Sequence, residues 1–373
     1  MATTKGAWKL QEVRDQILDG NWVDYNTGLD SGELWSWGCN ALGQLGNSCF
    51  ERQLSPIQIP GTEWSGISSN MYHSLATKGD KTLWSWGNNT QGRLGDNTTT
   101  QRSSPVQIPG TQWNNIATGV FFSLATKSDR TLWVWGSSYG SLGVGVLIHR
   151  SSPVQIPGTT WNNISAGQCH SVAIKTDSTL WSWGDNGNGQ LGDNTQVNRS
   201  SPIQVPGTQW SDVSAGFCTT HAIKTDGTLW AWGRNYNGEL GTFNNVHRSS
   251  PVQIPGTSWN DIASNCKYSL ARKTDGTLWS WGENQGGKLG INCTVYNSSP
   301  QQIPGNQWYD VCAGLNHVLA RKTDGTLWAW GCNTDGSLGD GTTARRSSPV
   351  QIPGTKWNGI SSGKDFSLAR KVV

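Results

Sequence analysis

The sequence predicts an all-β fold: a seven-bladed β-propeller of four-stranded antiparallel blades. Three observations lead to this prediction. One phrase recurs seven times at a nearly fixed spacing, each copy contains four short apolar segments separated by turn residues, and the first and last copies are incomplete in complementary ways. Only 14% of the residues are charged, and 47 glycines accompany many Ser, Thr and Asn residues, a composition that favours strands and turns over helices.

The repeat is defined by columns of apolar residues. Its Leu-Trp pairs are spaced by 48 or 49 residues and begin at Leu34, Leu83, Leu132, Leu180, Leu229, Leu278 and Leu327. Three columns of seven tryptophans account for 21 of the 23 in the chain. Large rings at fixed positions of a sheet fill the spaces between blades, so we interpret these tryptophans as core and not as a binding device.

Each copy contains four strand signals. Strand A begins at the motif WxxI, strand B is the SLAxK run, strand C is TLWxW and strand D is SPVQIP. Asp226-Gly227 lies between strands B and C of one copy, and Asp-Gly is a strong hairpin signal. The proline of strand D suits a sheet edge.

The two ends of the chain predict how the ring closes. Residues 357–373 contain strands A and B without C, whereas residues 32–61 contain strands C and D without A and B. Together they complete one blade, which an open β-solenoid would not require. We therefore predict a propeller domain over residues 31–373 and a separate anchoring segment over residues 1–30.

The motifs WGxNxxGQLG, at Trp183–Gly192, and AGxxHS, at Ala166–Ser171, resemble the regulator of chromosome condensation repeat. That resemblance implies a seven-bladed propeller, a fold that hosts GTPase exchange factors, plant ultraviolet photoreceptors and an inhibitor of β-lactamase. The exchange factor acts partly through an insertion in one blade, and the spacing here leaves no room for one. The photoreceptor motif Gly-Trp-Arg-His-Thr is also missing, because the matching positions read GQCHS from Gly167.

The segment before the propeller does not contain the repeat. Leu10, Val13 and Ile17 have helical spacing and Gly20 is a plausible stop, so residues 5–22 predict a short amphipathic helix. The segment is similar to the lead-ins of some bacteriophage structural proteins, which implies a virion partner. The N-terminus lacks the apolar core of a secretion signal, and no apolar run is long enough to span a membrane.

Variation among the seven copies is concentrated in the A–B and C–D connections, which share one face of the disc. Loops on a rigid scaffold are where binding residues accumulate. The predicted partner-binding residues are Tyr72, Phe121, Phe217, Lys267, Tyr139, Arg234 and Tyr236. An apolar patch at 144–148 lies on the same face. Exposed aromatic and Arg side chains are typical of interfaces, although neutral drift in tolerant loops is the alternative.

No catalytic, metal or cofactor motif is found. The eight cysteines lack metal-ligand spacing and are expected to be free thiols, and the column of His73, His170 and His317 is expected to pack in the core. A lysine column, for example Lys78, is expected to pair with the aspartate two residues later. The net charge of +3 gives no reason to expect a nucleic-acid partner.

The leading functional hypothesis is a non-enzymatic propeller that binds a protein or cell-surface glycan through the variable loops. Its most concrete form is a phage virion surface or tail-associated protein that recognises the host and is located in the virion. The alternative is a cytoplasmic, protein-binding regulator similar to a small-GTPase exchange factor.

Overall fold

A computed structural model describes residues 32–138 and 142–372. Its 27 strands form seven four-stranded antiparallel blades. Blade 1 consists of β26 (Trp357–Ser362), β27 (Phe366–Lys371), β1 (Gly32–Gly38) and the first part of β2 (Gln53–Ser69). Blade 2 consists of the rest of β2 with β3 (His73–Lys78), β4 (Leu83–Gly87) and β5 (Arg102–Ile108).

The other five blades follow along the chain. Blade 3 contains β6 (Trp113–Thr118), β7 (Phe122–Lys127), β8 (Leu132–Gly136) and β9 (Arg150–Ile156), and blade 4 contains β10 (Trp161–Ala166), β11 (His170–Lys175), β12 (Leu180–Gly184) and β13 (Arg199–Gln204). Blade 5 contains β14 (Trp210–Ala215), β15 (Thr219–Lys224), β16 (Leu229–Gly233) and β17 (Arg248–Ile254). Blade 6 contains β18 (Trp259–Ser264), β19 (Tyr268–Lys273), β20 (Leu278–Gly282) and β21 (Asn297–Gln302). Blade 7 contains β22 (Trp308–Ala313), β23 (His317–Lys322), β24 (Leu327–Gly331) and β25 (Arg346–Ile352).

The predicted composite blade is confirmed. β1 pairs with β27 in an antiparallel register that places Leu34 opposite Arg370 and Trp37 opposite Ser367. β2 is 17 residues long, because it is strand D of blade 1 and continues as strand A of blade 2. The two ends of the described chain therefore close the ring by backbone hydrogen bonds.

The seven A strands surround a central channel of about 230 Å³, which is lined mostly by small side chains such as Ser68, Ser165 and Ala215. Neighbouring A strands are joined there by hydroxyl groups. The hydroxyls of Ser69 and Ser361 lie 2.9 Å apart across the closure point. The ring is thus closed by contacts between A strands near the axis as well as by strand pairing within blade 1.

The tryptophans form the contacts between sheets, as predicted. Trp64 of strand A packs edge-to-face against Trp84 and Trp86 of the same blade, at centroid distances of 6.2 and 6.1 Å. Trp86 is fully buried, and its indole Nε1 donates to the backbone carbonyl of Gln44 in blade 1. The same contact explains the last glycine of the GxLG motif. A Cβ on Gly46, which has a φ of +71°, would lie 2.8 Å from that indole nitrogen.

The predicted pairing of the lysine column with aspartates is wrong. The Nζ of Lys78 lies over the rings of Trp64 and Trp84, 4.9 and 5.0 Å from their centroids, and the other six copies repeat this cation–π contact. Asp80 instead accepts hydrogen bonds from the hydroxyl and backbone N–H of Thr82, which lower the pKa of its carboxyl group. The long lysine stem lies on the aromatic surface of its own blade, so the turn carboxylate is left to cap the turn.

Helical structure in the described ranges is limited to 3-10 turns at Thr90–Gly92 and Gln285–Gly287. None of the described helices has the length and apolar character needed to cross a bilayer. The helix predicted over residues 5–22 lies outside the described residues, so it remains a prediction together with the 1–30 anchoring segment.

Candidate binding face

The A–B and C–D connections lie on one face of the disc, which we call the loop face. Within a blade the two connections are joined by backbone hydrogen bonds, such as Asn88 N to Tyr72 O at 2.9 Å and Glu283 N to Lys267 O at 2.8 Å. The A–B connections also contact one another around the axis, where Val120 N donates to Gly167 O at 3.2 Å. The B–C and D–A connections lie on the opposite face, the turn face.

The structure separates the predicted aromatic residues into two groups. Tyr236 is 67% exposed at a C–D loop, where it packs edge-on against His247. Tyr72, Phe121 and Phe217 are only half-buried in the A–B loops, so each presents part of its ring. Tyr139 lies outside the described residues. Tyr236 is therefore the most accessible aromatic side chain among the predicted residues that the structure describes.

Cations accompany two of the half-buried rings. The guanidinium of Arg93 lies 5.5 Å from the centroid of Phe121, and Nζ of Lys364 lies 5.8 Å from that of Tyr72. Arg93 itself is buried and donates to the carbonyl of Val120 in the next blade. These contacts hold the A–B loops in place and limit how far their rings can move toward a partner.

Arg234 is not the exposed interface residue that the sequence predicted. Its side chain is only 16% exposed, and its Nε forms an ion pair with Glu239 at 2.9 Å. Another guanidinium nitrogen donates to the carbonyl of Cys266 in blade 6. Because Glu239 is fully buried, this arginine is a structural counter-ion that joins blades 5 and 6.

Lys267 has a related but more exposed environment. Its ammonium group is 3.1 Å from Glu283, a carboxylate that also contacts the buried Lys288. With 41% of its side chain exposed, Lys267 remains available at the loop face. Three C–D loops contain a pair of interacting side chains five residues apart: Glu283–Lys288, Arg234–Glu239 and Asp185–Gln190. In the last pair the amide of Gln190 lies 2.7 Å from the carboxylate of Asp185. The two members of each pair differ together from blade to blade. A comparison of one column at a time does not detect this joint variation.

The histidine column lies between blades, as predicted for core residues. Nε2 of His170 lies 3.1 Å from the hydroxyl of Thr220, and Nε2 of His317 lies 2.8 Å from that of Ser367. Burial lowers the pKa of both imidazoles to about 4. They are neutral near pH 7, and each joins its blade to the next one.

His221, which sequence analysis did not single out, is buried where six other blades carry Leu or Val. Its two ring nitrogens lie 2.9 Å from the hydroxyl of Ser264 and 3.4 Å from that of Ser269. Burial lowers the pKa of its imidazole to about 3. The sequence contains a signal for this residue, because His221 stands in a column that is Leu or Val in the other six blades.

Among the residues that the structure describes, reactive or metal-binding groups are not gathered at the loop face. Over 32–138 and 142–372, no cluster of three His, Cys, Asp or Glu side chains could hold a metal ion. All eight cysteines are free, as expected, and burial raises the pKa of the Cys169 and Cys218 thiols to about 12 and about 11. These thiols are therefore protonated and weakly nucleophilic near pH 7.

The outer rim of the loop face carries an apolar surface that the sequence revealed only in part. One column of C–D loop tips consists of Ile148, Val197, Val246 and Val295 in the consecutive blades 3 to 6, each between 53% and 64% exposed. The other three blades have Glu51, Thr100 and Ala344 in this column. We call these four side chains the apolar arc. Only Ile148 was within the patch noted in the sequence, because the arc emerges only when one column is followed around the ring.

Two open grooves lie between neighbouring C–D loops near the arc, one between blades 3 and 4 and one between blades 6 and 7. One has a volume of about 720 Å³ and is lined by residues that include Leu147, Asp185 and Arg199. The other has a volume of about 690 Å³ and is lined by residues that include Tyr296 and Arg345. Both combine apolar and charged side chains, as protein-binding surfaces do.

Comparison with solved structures shows the same architecture elsewhere. Prp20p from Saccharomyces cerevisiae is 20% identical, with a TM-score of 0.84 and 94% of each chain covered. Human WBSCR16 is 19% identical, with a TM-score of 0.83, and the match covers 91% of this chain and 99% of the other. A comparison with curated protein sequences gives no match.

The family model described as the regulator of chromosome condensation (RCC1) repeat matches six segments: residues 31–77, 80–126, 177–221, 226–271, 275–321 and 324–370. A second model with the same description matches residues 161–190, 210–239 and 308–337. The matched segments include most of the propeller and most of its tryptophan and glycine columns. The chain therefore belongs to the regulator of chromosome condensation (RCC1) repeat family.

Proposed function

We propose that this propeller is a non-enzymatic regulator that binds a partner protein through its loop face. The observation that carries the proposal is the arrangement of the variable residues. Seven pairs of loops project from one side of a closed ring whose interior is nearly the same in every blade. A rigid scaffold with diversified loops is typical of binding proteins.

The partner class is supported by the structural relatives. The structure of Prp20p was described together with its binding properties to Gsp1p and histones, and another structure shows yeast RCC1 (Prp20) bound to Kap60. Those partners belong to the yeast protein, but they make a protein the first class of partner to test. For this chain, the interpretation as a protein-binding regulator has more support than recognition of a host by a virion, which rests on the resemblance of residues 5–22 alone.

The proposal can be tested by titrating the protein against purified Gsp1p and histones, with binding measured by interferometry. The critical variant replaces Tyr236 and Lys267 with Ala, because these are the two most accessible of the predicted residues that the structure describes. Tyr309→Ala is the matched control, because Tyr309 is 52% exposed and contacts Arg321, at the end of strand B on the turn face. We expect saturable binding that is weakened about tenfold or more in the loop-face variant and unchanged in the control.

Equal affinities for the loop-face variant and the unmodified protein would contradict the assignment of the face. Binding that is lost only in Tyr309→Ala would move the site to the turn face. With Gsp1p, accelerated nucleotide release would identify an exchange activity, and binding without release would identify a scaffold or an inhibitor.

A further inference from the structure

The arginines that begin strand D are neutralised in some blades and not in others. Three of them form ion pairs with an aspartate six residues earlier: Arg102 with Asp96 at 2.8 Å, Arg199 with Asp193 at 2.8 Å, and Arg346 with Asp340 at 2.9 Å. The aspartate is held in turn by loop hydrogen bonds, such as those that Asp96 accepts from Asn89 and Thr98. In blades 2, 4 and 7 the cation therefore has a built-in counter-ion.

Blades 3 and 5 have the arginine without the acid. Six residues before Arg150 stands Val144, and six residues before Arg248 stands Thr242. In the described part of the chain, the Nε atoms of Arg150 and Arg248 are buried without a hydrogen-bond partner, and neither guanidinium has a carboxylate within ion-pair distance. A buried donor that lacks an acceptor costs free energy, and both residues are only half-buried, so a carboxylate from outside the chain can replace the missing internal counter-ion.

Both unpaired arginines lie beside the apolar arc. Arg150 follows Ile148 by two residues, and Arg248 follows Val246 by two residues. Further exposed apolar side chains stand in the same loops, with Leu147 70% and Phe243 64% exposed. The rim of blades 3 to 6 thus combines exposed apolar side chains with two cations that lack an internal partner.

We propose that the apolar arc, with Arg150 and Arg248, binds an extended segment of a partner protein in which acidic and apolar residues are interspersed. The apolar side chains of the segment would cover the arc, and its carboxylates would pair with the two guanidinium groups. Arg suits this role because its planar fork matches a carboxylate and stays charged at any physiological pH. The inference rests on the proposed function, since it specifies the part of the loop face and the chemistry of the partner.

A peptide of acidic chemistry is favoured over a nucleic acid by the surroundings of the arginines. The intervening Arg199 is already neutralised by Asp193, and the four arc residues offer no polar group to a phosphate backbone. A nucleic-acid surface would present a continuous row of cations. The alternation of apolar and cationic groups is instead complementary to an acidic, apolar polypeptide.

The test uses the full chain and a fluorescein-labelled peptide in which Leu and Glu alternate, with binding followed by fluorescence anisotropy. A peptide in which Leu and Lys alternate is the matched control ligand. We expect the acidic peptide to bind, and to bind less tightly as salt is added, whereas the basic peptide does not bind. The doubly substituted R150Q/R248Q protein should bind the acidic peptide about tenfold or more weakly.

A second variant tests the same site by adding the aspartate that blades 3 and 5 lack. Val144→Asp with Thr242→Asp places the aspartate of blades 2, 4 and 7 beside each unpaired arginine, so it should weaken binding of the acidic peptide to a similar degree. Because Val144 packs against the core between blades 3 and 4, thermal denaturation verifies that the variant is folded. R102Q/R346Q is the control, because these two arginines are internally paired and lie outside blades 3 to 6. Its affinity should stay within about twofold of the unmodified protein.

Several results would overturn the inference. They are failure of the acidic peptide to bind the unmodified protein, equal binding of the basic peptide, and full affinity in the V144D/T242D variant. Self-association that is abolished by Ile148→Glu would identify a second copy of the chain as the occupant instead. If partner binding still depends on Tyr236 and Lys267 in any of these cases, the proposed function stands and only the arc assignment fails.

Discussion

The indole Nε1 of Trp86 donates a hydrogen bond of 2.9 Å to the backbone carbonyl of Gln44 in the neighbouring blade. The same bond recurs around the ring, for example from Trp232 to the carbonyl of Gln190 and from Trp330 to that of Lys288. Within the described residues, six of the seven blades are thus fixed to their predecessors by a fully buried donor and a main-chain acceptor.

Replacement of Trp86 by Phe should therefore reduce the free energy of unfolding by about 1–3 kcal/mol, because the Gln44 carbonyl loses its shorter hydrogen bond in a dry interface and keeps only the one from the Ser74 hydroxyl at 3.3 Å. Trp84→Phe is the control. Trp84 is only half-buried, and its Nε1 donates to the hydroxyl of Thr82 near solvent. Chemical denaturation of both variants checks the prediction, and an equal loss in the two would show that the inter-blade bond has no special role.

Ring closure predicts that the last strand is as firmly packed as an internal one. Leu368 of β27 and Leu270 of β19 occupy the same column and are both fully buried. Substitution of either by Ala should cost about 2–5 kcal/mol. A loss below about 1 kcal/mol for Leu368→Ala alone would indicate that the composite blade frays in solution.

The buried histidines predict a loss of stability in mild acid. The folded-state pKa values of His170 and His317 are about 4, below the value of about 6.5 for an exposed imidazole, so between these values the unfolded chain binds the extra protons. Stability should fall as pH decreases from 7 to 5, by about 2 kcal/mol for each such histidine.

A double variant with His170→Phe and His317→Phe should show a weaker dependence over this pH range, measured by denaturation at pH 7 and pH 5. Phe occurs in the same column at Phe122 and Phe366, and the hydroxyls of Thr220 and Ser367 keep hydrogen bonds to the carbonyls of Gln190 and Ser337. An unchanged pH dependence would mean that the acid sensitivity originates elsewhere, for instance in His73 and His221, whose imidazole pKa values burial also lowers.

The Arg234–Glu239 pair predicts that one of the proposed interface residues is needed for folding. Arg234→Ala leaves a fully buried carboxylate without its counter-ion and should cost about 3–5 kcal/mol. The combination Arg234→Asp with Glu239→Gln installs the Asp185–Gln190 pair of blade 4 and should restore much of the loss. Thermal denaturation distinguishes this role from a surface role, for which the single substitution would be nearly neutral.

The blades could be predicted from the sequence because their determinants are local and repeated. The Leu-Trp pair, the Asp-Gly turn and the strand D proline each indicate one strand or turn, and the spacing of the copies indicates their number. Closure followed from strands missing at the two ends, and the pairing of Leu34 with Arg370 confirms it.

The properties of the loop face were harder to predict, because side-chain pairing in loops has no fixed period. Arg234 looks like a surface residue until Glu239, five positions later, is found buried against it. The lysine column was misassigned for a similar reason. Lys78 and Asp80 are close in sequence, but the lysine side chain lies on Trp64 and Trp84 while Asp80 caps its own turn.

The acceptor in the contact between Trp86 and Gln44 is a peptide carbonyl, so the side chain at that position takes no part in it. Gln44, Arg93, Glu239 and Ser337 all serve equally well in their respective blades. A gene that gains, loses or exchanges one repeat therefore keeps compatible junctions on both sides of the new unit. Recombination between copies can change the set of displayed loops while the framework stays intact.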